Sequence, residues 1–199
     1  MEKKIILLDR GHGSTLKYGK RSPDSSLIEW KYCDEIANKV YTKLKDLGYD
    51  VRLITPEEKD IPLSTRVKRV NDICKQYGSQ NCLLISIHCN AAGSGGEWLN
   101  ARGWSGWVYT RCSQNSIKLA NSLYDSAYEK GLKCRKPLPN QKYWTANFYI
   151  IKHTNCPAVL TENLFMDNKE DVEFLLSERG KEVIIDLHVD AIKKYCDEI

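Results

Sequence analysis

Residues 81–88 read Asn81-Cys82-Leu83-Leu84-Ile85-Ser86-Ile87-His88. An apolar run of this length, bounded by polar residues, suits a strand buried on both faces. Upstream lies an amphipathic stretch. Leu63, Val67, Val70, Cys74 and Tyr77 recur at steps of four and three, and Gly78 ends the pattern. Further upstream, residues 50–55 form a second strand candidate. Before it, Tyr32, Ile36, Val40, Leu44 and Leu47 make another helical face, closed by Gly48 as a C-terminal cap. Residues 4–9 supply the first strand. Strand and helix thus alternate, which is the pattern of a largely parallel sheet covered on both sides.

Downstream, strands are expected at residues 106–110, 146–152 and 158–162. A third helix follows Ile117, Ala120, Tyr124 and Ala127. A fourth is capped by Asp167 or Asn168, and the last runs from about Gly180 to Cys196. Residues 91–105, rich in Gly, Ser and Trp, and residues 131–145, with Pro137 and Pro139, read as long loops. The expected class is α/β: one three-layer domain over residues 1–199, with a mostly parallel twisted sheet of about six strands flanked by helices.

The bulk composition is ordinary for a globular chain: 199 residues, 42% hydrophobic, 28% charged, net charge +4. The basic residues are scattered, so nucleic acid is not indicated as a partner. No apolar run approaches the length of about 18 residues that suggests a membrane span. The apolar stretch near the N-terminus covers only Ile5 to Leu8 and ends in Asp9. It reads as a strand, not as an export signal, so synthesis in the cytoplasm without a leader is expected. No two of the eight cysteines have Cys-x-x-Cys spacing, and free, mostly buried thiols are expected.

In open α/β sheets, sites form at the carboxyl ends of strands. The first strand runs into Asp9-Arg10-Gly11-His12-Gly13, where two glycines allow the chain to turn and present an imidazole. A phosphate loop using Gly13, Gly19 and Lys20 is rejected. Its spacing is off by one residue, and Arg21 stands where Ser or Thr is required. The third strand ends in His88, which is costly to bury unless paired or metal-bound. Strand alternation places Cys89 on the opposite face, as packing.

A catalytic zinc needs about three protein ligands and one open position. Glu29, at the start of the first helix, suits the third; a carboxylate favoured there by the helix dipole is the plainer alternative. Glu162 closes the Pro157-Ala158-Val159-Leu160 strand and suits a general base, or is simply a strand-end carboxylate. His153 follows a strand and borders this region, and His188 lies mid-helix in a structural or surface role. Trp98, Trp104, Trp107 and Tyr109 either stack on sugar faces or pack beneath a groove, packing being the commoner role.

Together these elements resemble the zinc-dependent N-acetylmuramoyl-L-alanine amidases of the cell-wall-hydrolase type, which include cell-separation amidases and phage endolysins. That family has Asp-Pro-Gly-His-Gly where this chain has Asp9 to Gly13, with Arg10 for Pro. It has a Glu at the first helix, matched by Glu29, and Leu-x-x-Arg, matched by Leu63 to Arg66. It has Ser-x-His-x-Asn-Ala, matched by Ser86 to Ala91. Pro157 to Asn168 matches a last motif, with Leu164 in place of Gly.

The resemblance implies that His12, Glu29 and His88 hold one zinc ion and that Glu162 is catalytic. The bond cut would be the amide between N-acetylmuramic acid and L-alanine of peptidoglycan. Asn90 and Arg66 are candidates to contact substrate or support the ligands. Rival readings are a zinc peptidase acting on the stem peptide and a peptidoglycan-binding module that does not cut. A single catalytic domain without a wall-binding domain, acting on the cell wall, is the expected setting, with release by a phage or prophage as one route and a host enzyme exported by another route as the alternative.

Overall fold

The computed structural model describes residues 4–14 and 20–198. Gly19, weighed above as part of a phosphate loop, lies outside them, as does the start of the N-terminal stretch.

The sheet has six strands: β1 (Ile5–Arg10), β2 (Asp50–Leu53), β3 (Cys82–Asn90), β4 (Ser105–Tyr109), β5 (Trp144–Ala146) and β6 (Ala158–Phe165). Their order is β2-β1-β3-β6-β4-β5. The first four in that order are parallel. β4 runs antiparallel to β6, and β5 runs parallel to β4. The expected mostly parallel α/β sheet is therefore present, with its apolar run β3 at the centre.

Alternation along the strands divides the interior in two. Ile6, Leu8, Leu83, Ile85 and Ile87 face the larger core. That core takes the apolar faces of α1 (Glu29–Asp46), α3 (Gln114–Glu129) and α6 (Glu178–Asp197). Ile5, Leu7, Cys82 and Leu84 face a smaller core under α2 (Leu63–Tyr77) and α4 (Tyr149–Lys152). Gly48 and Gly78 follow α1 and α2 with φ of 82° and 88°, the left-handed region in which glycine is at ease. Asn168 caps α5 (Lys169–Leu176) by accepting from the Asp171 N–H.

One element differs from expectation. Residues 146–152 are not a strand: β5 ends at Ala146, and Tyr149–Lys152 form the single turn of α4. The run Tyr149-Ile150-Ile151 is too short for periodicity to separate strand from helix. Its burial of Ile150 and Ile151 against the small core decides for the helix. β5 itself begins within the stretch read as a loop.

All eight cysteines are free, five of them buried. Among the described residues, no helix is long and apolar enough to cross a membrane.

Candidate metal centre and active site

His12 lies two residues beyond β1, His88 near the end of β3, and Glu29 is the first residue of α1. Their ligand-capable atoms all lie within 4.8 Å of one another. Glu29 sits between the two rings, with Oε2 3.2 Å from His12 Nε2 and Oε1 3.2 Å from His88 Nδ1. The same Oε1 accepts the backbone N–H of Cys89 at 3.2 Å. The Cys89 side chain itself turns into the larger core, on the face expected for it. Burial opposes the Glu29 charge, but the two histidines outweigh it and hold the carboxyl well below the usual range.

The glycines flanking His12 have a different role from the one read in the sequence. The left-handed residue is His12 itself, with φ 62°. Gly11 and Gly13 are needed for space. A Cβ on Gly11 would stand 2.6 Å from His88 Nδ1, and one on Gly13 would stand 2.3 Å from the Asp60 backbone. The His12 turn is held from below by Arg66, whose Nη2 donates to the His12 carbonyl at 3.0 Å.

Glu162 is the register partner of His88 on β6. It is half-buried, and its Oε2 is enclosed without a hydrogen-bond partner. Burial, then the charge of Glu29, pushes its carboxyl up to about 8, while Lys20 and Arg135 pull the other way. A cavity of about 380 Å³ opens over these groups. Polar His12, His88, Glu162, Lys20 and Asp60 line it together with apolar Leu63, Phe148, Tyr149 and Leu160.

The other candidates fall elsewhere. Arg66 also borders the cavity, but its five N–H groups are directed at Asp9, Asp60 and the carbonyls of Ile61, Arg10 and His12. Asn90 is engaged opposite the bulge in β6, where its Oδ1 accepts from Ala91 and its carbonyl from Met166. His153 is exposed beside the Tyr149 ring. His188 is fully buried between Thr161 and the Ile184 carbonyl, a structural position. Trp104 is also fully buried, and its Nε1 donates to Asn163 Oδ1 at 3.0 Å. Asn163 in turn donates to the His88 carbonyl at 2.9 Å. Trp107 packs against Trp144 and Phe148, while Trp98 is partly exposed.

Sequence reasoning passed over the apolar wall made by Phe148 and Tyr149, because that segment was read as a strand. It also passed over Asp9 and Ser86 as working groups, although both stand inside the quoted motifs.

The family model for N-acetylmuramoyl-L-alanine amidases matches residues 6–194. The chain belongs to the N-acetylmuramoyl-L-alanine amidase family. Within reach of this amidase chain is the endolysin of Bacillus phage SPP1, 28% identical over 95% of this chain and 65% of its own length. The probable cell wall amidase LytH of Staphylococcus epidermidis is 26% identical over 96% of this chain and 58% of its own length. The chain thus spans less than two thirds of these relatives. Among solved structures, an N-acetylmuramoyl-L-alanine amidase from Clostridium difficile 630 superposes with a TM-score of 0.82 at 22% identity, covering 98% of this chain and 97% of the other. Ami1 from Mycobacterium smegmatis gives 0.83 at 16% identity, with 98% of each chain covered. These two likenesses establish the amidase fold.

Proposed function

We propose that this chain hydrolyses the amide bond between N-acetylmuramic acid and L-alanine in peptidoglycan, with one zinc ion held by His12, Glu29 and His88. The observation that carries the reading is the convergence of two imidazoles and a carboxylate beside a second, unpartnered carboxylate in an open cavity. Two nitrogen donors and one oxygen donor suit zinc in a catalytic setting. The buried Glu29 Oε2, which faces His12 Nε2 at 3.2 Å without an aligned hydrogen bond, suits a cation as its counterpart. When bound, zinc supplies a Lewis acid that polarises a carbonyl and acidifies water.

The protein's own residues do the rest. Glu162 stands next to His88 in the sheet and faces the cavity. Its burial makes it a stronger base than a carboxylate in water, which suits it to take a proton and return it. It removes a proton from the attacking water and passes it to the amine of L-alanine as the C–N bond breaks. Leu63, Phe148 and Tyr149 give the cleft an apolar part of its lining. Glycoside cleavage normally needs two carboxylates flanking the sugar bond. Here the other carboxylates are engaged, Glu29 between the two histidines and Asp60 with Arg66.

The family membership and the wall-acting relatives support peptidoglycan as substrate and the cell wall as the place of action. Digestion of purified peptidoglycan with mass analysis of the fragments tests the reading. Free α-amino groups on L-alanine and no new reducing ends are expected. Chelation should stop the release and added zinc should restore it. New reducing ends would mean a glycosidase, and a new amino group on any other residue would mean a peptidase.

A further inference from the structure

The two ring nitrogens of His88 have different neighbours. Nδ1 faces Glu29, on the side where the ligand atoms converge. Nε2 lies 3.2 Å from Ser86 Oγ. Ser86 Oγ is in turn 2.7 Å from Asp9 Oδ2. A carboxylate only accepts, so the serine hydroxyl donates its one proton to Asp9. Its oxygen is then left to accept, and the partner it can accept from is the N–H at His88 Nε2. Nδ1 keeps its lone pair.

The arrangement is built by sheet register. Asp9 and Ser86 are paired across β1 and β3, and Ser86 and His88 are two apart on one strand face. Asp9 is fixed from behind. Its Oδ1 accepts from Arg66 Nη1 at 3.0 Å, and Asp9, Ser86 and Arg66 are all buried. Arg66 therefore determines which carboxylate oxygen points at Ser86.

We propose that Arg66, Asp9 and Ser86 are positioning residues that fix the tautomer of His88, presenting Nδ1 as a bare ligand to the metal. This rests on the reading of His88 as a zinc ligand. Partners of this kind are typically worth about 10–100-fold in metal affinity.

Asp9→Asn gives the sharpest test. Arg66 requires an acceptor at the near position, so the amide must turn its NH2 towards Ser86. That reverses the hydrogen-bond direction: Ser86 now donates to Nε2, and the ring proton is forced onto Nδ1. The measurements are zinc affinity by chelator competition, thermal stability of the metal-free protein, and the ring-nitrogen signals of ¹⁵N-histidine-labelled, zinc-loaded protein.

Asp9→Asn and Ser86→Ala are expected to weaken zinc binding about 10–100-fold, and Ser86→Thr to stay within a few-fold of the unmodified protein. The wild-type spectrum should show His88 bound through Nδ1 with a slowly exchanging proton on Nε2, and that proton should exchange quickly in Ser86→Ala. His88→Ala serves as the reference for the ligand reading. If it keeps wild-type zinc affinity, the ligand assignment fails. If it loses zinc while Asp9→Asn and Ser86→Ala bind as tightly as wild type, the relay alone fails. Should Asp9→Asn not fold, the Ser86→Ala and Ser86→Thr pair decides. Equal zinc affinity in those two overturns the proposal, whatever their stabilities.

Discussion

His88 and Glu162 are register partners on the adjacent parallel strands β3 and β6. Register partners present their side chains on one face of the sheet, about 4.8 Å apart at the backbone. The proposed base is therefore held beside a proposed ligand by the sheet's own hydrogen bonds, not by a loop. Replacing Glu162 by Gln keeps the size and removes the base. Glu162→Gln should retain fold and zinc content and lose about 10²–10⁴-fold in turnover on peptidoglycan. Wild-type turnover in this variant would make Glu162 a bystander.

Zinc content is the second test. One zinc per chain is expected by metal analysis, and His12→Ala combined with His88→Ala should abolish it. Gly11→Ala offers a finer probe, since it substitutes none of the ligands. Its Cβ would stand 2.6 Å from His88 Nδ1, so the ring must move. A loss of about tenfold or more in zinc affinity is expected, comparable to losing a supporting hydrogen bond. An Ala variant that binds zinc like wild type would show that the ring has room.

Much of this site was legible because it sits where the sequence pattern is strongest. The run ending in His88 is apolar on both faces, and Gly48 and Gly78 mark where α1 and α2 stop. Asp9 and Ser86 were harder to read as a pair. They lie 77 residues apart and meet only through the register of β1 and β3, which no local period reports. Arg66 was likewise ambiguous, since an arginine in a motif looks the same whether it faces substrate or, as here, five acceptors inside the protein. The turn of α4 was missed because a short apolar run fits strand and helix equally.

His188 makes stability pH-dependent. It is wholly buried, and burial pushes its pKa down from 6.5 to about 4. Below pH 6.5 the unfolded chain takes up a proton on this ring, while the folded protein does not until about pH 4. The folded pKa is depressed, so the stabilisation is complete above pH 6.5 and is lost as pH falls towards 4. Over that window the loss is on the order of 3 kcal/mol. His188→Gln can still meet Thr161 and the Ile184 carbonyl but does not titrate. With zinc in excess, urea midpoints of the variant should fall less steeply between pH 6.5 and 4 than those of wild type. Parallel slopes would remove His188 from the account.

Leu164 stands where the family motif has Gly, and the backbone shows what that position demands. Its φ is 64°, left-handed for a side-chain-bearing residue, beside the irregularity where β6 slips its register against β3. This conformation costs roughly 1–2 kcal/mol for an L-residue and is nearly free for glycine. The leucine persists because its side chain is 4% exposed and packs in the larger core. Leu164→Ala removes that packing and keeps the strain, so a loss of about 2–5 kcal/mol is expected. Leu164→Gly removes the same packing but relieves the strain. In an ordinary strand Gly is worse than Ala by about 0.5–1 kcal/mol. Here the order should reverse, with Leu164→Gly at least as stable as Leu164→Ala in denaturant unfolding. A glycine variant clearly less stable than the alanine variant would show that the backbone at Leu164 is not under strain.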